Sequence, residues 1–487
     1  EIENNIENEL NIFNNTKVQV HIPYEPNINL SENQNNIVKS ITRFKLSILT
    51  GGPGVGKTHT IKAYMELAMK IPNTKIIACA LAGAAAKQLS ASLPKCKNVR
   101  TGTIAKELLY KVHEYGDNDN DCDSYNLYDY KYNNIIILDE FSMVDINTFN
   151  KILKLIKKTF KYENTTLILI GDVDQLPSIG HGNLLHDLIE SKKFNHDKLY
   201  KIHRTRNKDI INMLSKIKER QFNLSTAKLI NKKSNNIHIH YKEDWTEEEM
   251  KQKIIKIMDD IGFSYSRNDM ILVTQNGNQI KCENIESKQN RKRWVGTACH
   301  INKEMQNICN PITSESPCII SEAEASKKLN KTWYRINDRI ISNVNIYREK
   351  YDIYKGSLGS IVGYCIERKE VTLKFDNDIT HKINVDELYS NSYKHAYCMT
   401  THISQGSTFR NVICILMDSH YTFKKNGCKI SYTGTSRTKE KVHVITTTNS
   451  LRTHPFTHNC VFNNSSYIYT GLFSRKNHSS TNQAIHL

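Results

Sequence analysis

Residues 49–60 read LTGGPGVGKTHT. Just upstream, FKLSI (44–48) is an apolar run of strand length, and downstream TIKAYMELAMK (60–70) spaces its apolar residues at helical intervals. A strand that breaks at glycines and re-enters as a helix turns backbone N–H groups toward one point, where the helix N-terminus adds partial positive charge. Gly51 to Thr58 match GxxxxGK[ST] in full and in that context. Gly51, Gly52, Pro53, Gly54, Val55 and Gly56 are therefore expected to wrap the phosphates of ATP. Lys57 reaches the β and γ phosphates and Thr58 ligates Mg²⁺. His59 follows on the first helical turn and completes the expected nucleotide-binding set.

The same grammar continues outward. KIIACAL (75–81) precedes a helix expected over 84–93 and stopped by Pro94, and IIILDE (135–140) and LILIGD (167–172) are further apolar strands. Buried strands alternating with helices predict an α/β fold with a parallel sheet covered on both faces. A second block from Leu199 carries MILVTQ (270–275), VICILM (412–417) and VHVIT (442–446), which predicts a second α/β domain. Residues 312–392 change to short alternating segments broken by Gly, Asn and Asp, the pattern of a small antiparallel module inserted in that domain.

The expected organisation is a flexible Asn-rich arm (1–27), a first domain (28–198), a second domain (199–311 and 393–447), the β insertion (312–392) and a C-terminal tail (448–487). Lys and Arg outnumber Asp and Glu by 67 to 50, a formal charge of +17, which suits a polyanionic partner. The 12 cysteines are scattered, which predicts reduced thiols in the cytoplasm or nucleus. No apolar run approaches the ~20 residues of a membrane span, so no membrane partner is expected.

IIILDEFSMVD places Asp139 and Glu140 at a strand end, the ligand-binding edge of a parallel sheet. Asp139 is suited to hold Mg²⁺ and Glu140 to polarise an attacking water. GDVDQLPS (171–178), AYCMTTHISQGS (396–407) and YTGTSRTKEKVHVI (432–445) follow in order. With these motifs the chain resembles superfamily 1 helicases, specifically the RecD-like branch with 5′-to-3′ polarity, across about residues 28 to 447.

That resemblance implies two RecA-like domains with parallel sheets, ATP between them and single-stranded DNA across them. It implies that Gln34 reads the adenine edge and that Gln175 senses the γ-phosphate. Arg204 and Arg437 would reach that phosphate from the second domain, with Arg206 competing for the role of Arg204, and Gly406 would lie beside the nucleotide. Candidate grips on the strand are Thr101 and Thr103 in the first domain and Thr274, Gln275, Thr401, His402 and Ser404 in the second. The chain departs from the family at Ala82, Ala84 and Ile403, where phosphate-contacting side chains are usual.

Relatives carry a pin-like hairpin insertion where 113–132 stand here, and Tyr125, Tyr128 and Tyr130 suit stacking at a fork; an acidic loop is the competing reading. The insertion at 312–392 resembles their SH3-like barrel, and basic runs at 291–294 and 327–331 suit backbone contacts. His454, His458 and Cys460 lack a fourth ligand and do not predict a zinc site. The expected partners are single-stranded, fork or overhang DNA, together with replication or recombination proteins. An RNA helicase of the same superfamily, or an ATP-switched nucleic-acid clamp or assembly factor without processive unwinding, is the alternative.

Overall fold

The computed structural model describes residues 2–17, 21–94, 96–110, 132–201, 208–277, 294–320, 333–348, 351–390 and 392–452. These fall into two compact units that divide after residue 201, except that Ala82–Ala84 group with the second.

The first unit is built on a six-stranded sheet. Its strands are β1 (Leu46–Gly51), β2 (Thr74–Ala80), β3 (Val99–Thr103), β4 (Asn133–Asp139), β5 (Thr165–Gly171) and β6 (Asn195–Leu199). They lie in the order β3-β2-β4-β5-β1-β6, every pair parallel. β1 and β2 are buried along their whole length, as a sheet covered on both faces requires. Alternate residues serve two cores. Leu46, Ile48 and Leu138 pack on one face with Phe149, Ile152 and Leu185. Leu49, Ala78 and Ile137 pack on the other with Ile37, Ile61 and Met65, from helices α2 (Glu32–Ile41) and α3 (Lys57–Ala68). Parallel order brings the C-terminal ends of β1, β4 and β5 to one edge, so Gly51, Asp139 and Gly171 meet there.

Three expectations are corrected. Residues 1–27 are not a loosely attached arm, because α1 (Ile2–Asn15) packs on the helix Ile146–Leu155. Ile6, Leu10 and Phe13 form its buried stripe at helical spacing. Lys157 Nζ donates to Glu9 Oε1 at 2.7 Å, and Tyr162 Oη donates to Glu9 Oε2 at 2.5 Å. Burial pushes the Glu9 carboxyl up, but these two donors outweigh it and hold it below the usual range. Leu199, expected to open the second domain, instead ends β6 and is buried in the first unit's core. At the other end, Thr448–Arg452 extends the fold as a short helix with Leu451 buried, where an unstructured tail was expected.

The second unit holds β7 (Ile237–Lys242) and β8 (Met270–Val273), then β9 (Arg339–Ser342), β10 (Ile346–Tyr347), β11 (Asp352–Ile353), β12 (Leu358–Cys365), β13 (Glu370–Phe375), β14 (Thr380–Asn384) and β15 (Tyr393–His395). β16 (Cys398–Thr400), β17 (Phe409–Leu416) and β18 (Thr438–Thr447) complete it. A parallel sheet runs β16-β8-β17-β18-β7. An antiparallel sheet runs β14-β13-β12-β9-β15, and β10 and β11 form a separate pair.

The antiparallel sheet is tied to its neighbours through Asp338, which is fully buried. Its carboxylate accepts from Gln306 Nε2 (2.7 Å), Asn310 Nδ2 (2.8 Å), Tyr397 Oη (2.8 Å) and the Arg335 amide (2.7 Å). His395 Nε2 lies 3.1 Å away. Burial raises the Asp338 pKa, yet His395 and the amide donors bring it below the usual value.

Candidate functional site

At the end of β1 the chain has no room for a side chain. A Cβ on Gly51 would stand 2.6 Å from Val55 Cγ2 and 3.1 Å from the Leu199 carbonyl oxygen. Gly54 and Gly56 have φ of 77° and 90°, the left-handed conformation that glycine adopts without steric cost. Gly56 is also the N-cap of α3 and offers no side-chain cap. The start of a helix of 12 residues is thereby presented to the loop it must share with an anion. Lys57 Nζ donates to the carbonyls of Gly51 (2.7 Å) and Gly52 (3.1 Å). The ammonium is thus held over the loop, placed to exchange those acceptors for phosphate oxygens. Thr58 is half-buried beside it and His59 is exposed. Such a cradle fits a triphosphate, and its hydroxyl and carboxylate donors fit Mg²⁺.

Asp139 ends β4, and its Oδ1 accepts the Glu140 amide at 2.8 Å. Glu140 has φ 50° and ψ 41°, a conformation that costs an ordinary side chain about 1–2 kcal/mol. Strain of this kind at a strand end is typical of functional turns. The Glu140 turn packs on the end of β5, where a Cβ on Gly171 would lie 3.2 Å from the Ser142 amide and 2.6 Å from Leu185 Cδ2. The residue after Gly171 is Asp172, 2% exposed. Burial raises its carboxyl pKa and the Lys57 charge opposes that rise. Its oxygens accept the Asp174 amide (3.1 Å) and Gln175 Nε2 (3.3 Å), which holds Gln175 in a buried position.

No sequence motif above assigns Asp172 a role; its signal is an apolar strand that ends in Gly-Asp, like the Leu-Asp end of β4. Gln34 is also buried, with its Oε1 accepting from the Ser31 amide (3.0 Å) and hydroxyl (3.1 Å) in a capping box that starts α2. Thr101 Oγ1 donates to Ser90 Oγ at 2.8 Å, whereas Thr103 is buried and its Oγ1 accepts the Lys106 amide at 3.2 Å.

In the second unit, Thr401 Oγ1 donates to the Val273 carbonyl (3.2 Å) and Ser404 Oγ to the Thr401 carbonyl (2.8 Å). Both are fully buried, so these hydroxyls shape the 400–407 loop from within. His402 keeps a partly exposed edge, with burial lowering its pKa, and Gly406 takes φ 78° at the bend. Thr274 is buried with its hydroxyl 2.6 Å from His420 Nδ1, while Gln275 Oε1 has no hydrogen-bond partner.

Arg437 is buried at the end of the helix Tyr421–Thr435. Its Nε donates to the Thr433 carbonyl at 3.1 Å and its Nη1 to the Ser407 carbonyl at 3.4 Å. Arg204, Arg206, the 113–131 part of the expected pin with its tyrosines, residues 291–293 and 327–331, and His454, His458 and Cys460 lie outside the described residues. Among the described residues no group of His, Cys, Asp or Glu is arranged to hold a metal ion by itself, and no helix is long and apolar enough to cross a membrane.

Comparison with known proteins agrees with this geometry. Residues 29–243 match an AAA domain family, and residues 395–445 match the UvrD-like helicase C-terminal domain. The chain is 26% identical to an uncharacterized protein of Methanocaldococcus jannaschii over 90% of its own length and 40% of that protein. It is 24% identical to the ATP-dependent RecD2 DNA helicase of Deinococcus radiodurans over 86% of its length and 49% of the relative's. The chain therefore spans less than half the length of these two relatives. In fold it resembles the Pif1 helicase from Bacteroides, solved in complex with ADP-AlF3 and ssDNA, with a TM-score of 0.52, 19% identity, and coverage of 88% of this chain and 94% of that one. Motif order, the two matched family models and the RecD2 relative agree with the resemblance to the RecD-like branch of the superfamily 1 helicases.

Proposed function

We propose that this chain is an ATP-driven motor that moves 5′-to-3′ along single-stranded DNA and opens duplex ahead of it. The observation that supports this most is the convergence in the first unit of an ammonium (Lys57), a strained carboxylate turn (Asp139–Glu140) and a buried Asp172–Gln175 pair. A nucleotide store needs the first of these alone; hydrolysis needs the others. Bound Mg²⁺ would neutralise charge on the β and γ phosphates, held by Thr58 and Asp139. Glu140 orients and deprotonates the attacking water, and Gln175, fixed through Asp172, reports the state of the γ-phosphate to its own loop. Arg437 and Arg204 are the guanidinium groups assigned to charge developing on the transferring phosphoryl group, where such groups are worth about 10³-fold or more in rate.

Among the strand contacts, Thr101, Gln275 and His402 are only partly buried. Thr103, Thr274, Thr401 and Ser404 act by shaping the loops that carry them. The departures at Ala82, Ala84 and Ile403 remove contacts to the polymer and leave the phosphate loop intact. Replication and recombination proteins, on this reading, meet the motor at its DNA.

The test is steady-state ATP hydrolysis with no polymer, with poly(dT) and with poly(U), using Lys57→Ala as the blank. Stimulation by poly(dT) above poly(U), followed by unwinding of a duplex with a 5′ overhang, is expected. Equal stimulation by both polymers would favour an RNA-competent motor. No stimulation by either would replace the motor with an ATP-switched clamp.

A further inference from the structure

β8 leaves the second unit's sheet as Thr274-Gln275-Asn276-Gly277, one of the loops assigned above to the strand. The loop is fastened by its backbone to the start of the helix Ala298–Cys309. The Ala298 amide donates to the Gln275 carbonyl and the Cys299 amide to the Asn276 carbonyl, each at 2.9 Å. A Cβ on Gly277, whose φ is 79°, would stand 2.7 Å from Thr297 Oγ1. Its side-chain anchor is more distant in sequence. His420 is fully buried, and Nε2–H donates to the Val295 carbonyl at 3.0 Å. That bond assigns the tautomer and leaves Nδ1 to accept the Thr274 hydroxyl at 2.6 Å. Every polar atom of the ring is used, and none faces a ligand.

A buried imidazole is a costly way to fill a core, since an aromatic hydrocarbon of similar volume avoids its desolvation. What the imidazole adds is direction, because it fixes the Thr274 rotamer and with it the path of the loop. His420 also directly precedes the helix Tyr421–Thr435, whose far end leads through Ser436 to Arg437. A segment that is helical over Tyr421–Thr435, with a break at Asn426, therefore runs from the anchor of a strand-contacting loop to the assigned catalytic arginine.

We propose that His420 is a positioning residue that holds the Thr274–Gln275 loop in its strand-binding conformation and ties it to the segment that leads to Arg437. This assignment rests on the motor reading above. The test uses the full chain with His420→Phe, which keeps a planar ring and removes both bonds, and His420→Asn, whose side-chain oxygen stands near the place of Nδ1. Thr274→Val removes the same bond from the other side.

ATP turnover is titrated against poly(dT) and against ATP, with a thermal melt for each variant. The expected result is a rise of about five- to ten-fold in the poly(dT) concentration giving half-maximal stimulation for His420→Phe, the loss of one buried hydrogen bond. The half-saturating ATP concentration stays within about two-fold, His420→Asn recovers most of the shift, and Thr274→Val reproduces it with no further effect in the double variant. A folded His420→Phe or Thr274→Val protein with wild-type poly(dT) dependence overturns the assignment, as does an Asn variant as impaired as Phe. If the wild-type protein is not stimulated by poly(dT) at all, the motor reading fails and this assignment fails with it. Stimulated wild type with unaffected variants sinks the assignment alone.

Discussion

Lowering the pH from 7 to 5 should destabilise the second unit selectively. His300 and His420 are buried, with burial lowering their pKa from 6.5 to about 4. His443, buried and 3.1 Å from His240 Nε2, is lowered from 6.5 to about 3 by burial, with neighbouring His240, His238, Lys441 and Lys253 adding to the effect. In each case the folded pKa lies below the unfolded one, so the unfolded chain takes up the proton first. The stability that the neutral rings provide is complete above about pH 7 and is lost as pH falls toward the folded values. Each ring then costs about 2 kcal/mol between pH 7 and pH 5, at about 1.4 kcal/mol per pH unit below 6.5.

Three such rings sum to about 6 kcal/mol, counting His240 and His443 as one coupled group, against a domain stability of about 5–15 kcal/mol. In the first unit His196, whose pKa burial lowers, loses stability as pH falls, while Asp172 and Asp187, whose pKa values burial raises, gain it. Thermal unfolding followed by calorimetry at pH 7, 6 and 5 should therefore show one transition moving down steeply while the other moves little. His443→Phe should flatten the slope of the sensitive one. A melt that keeps the same midpoints from pH 7 to 5 would refute the reasoning, because it would mean that these rings are protonated in the folded chain.

Further outcomes follow from single sites. Glu140→Gly relieves a left-handed backbone and should hold or raise stability by about 0.5–1 kcal/mol while lowering ATP turnover by about 10²-fold or more, checked by a melt and a turnover assay on the same preparation. Leu10→Ala empties part of the α1 contact and should destabilise the first unit by about 2–5 kcal/mol, read by denaturant titration; a neutral result would return α1 to the status of an arm. Arg437→Lys keeps the charge and loses the planar fork, so turnover should fall at least about ten-fold with nucleotide affinity nearly unchanged, measured by calorimetric binding beside turnover.

The strand–loop–helix at 46–68 and the turns at Asp139–Glu140 and 172–175 were legible as places in the fold, because each sets particular residue types at the end of an apolar strand. The parallel sheets were legible from strands buried along their length. α1 was not, because its apolar stripe is only Ile6, Leu10 and Phe13 in a run dominated by Asn and Glu. Composition there reads as solvent-loving, although helical spacing had already placed the stripe on one side. The roles of Thr103, Thr274, Thr401 and Ser404 were equally hidden. A hydroxyl at the end of a strand has the same sequence signature whether it meets a phosphate or a nearby carbonyl, and only the fold decides.

The His420 tie shows the deeper limit. Thr274 and His420 are 146 residues apart in the chain and adjacent in space. No local pattern of hydropathy or spacing marks either of them, since the bond exists only because β8 and β17 lie side by side in the parallel sheet. β17 ends at Leu416 and the chain turns back through Asp418 to His420 just where β8 gives way to Thr274. Register alone thus brings a ring from one connection under the loop of another. Motifs at strand ends are thus written in short stretches of sequence, while ties such as Thr274–His420 are distributed over pairs that only the sheet order joins.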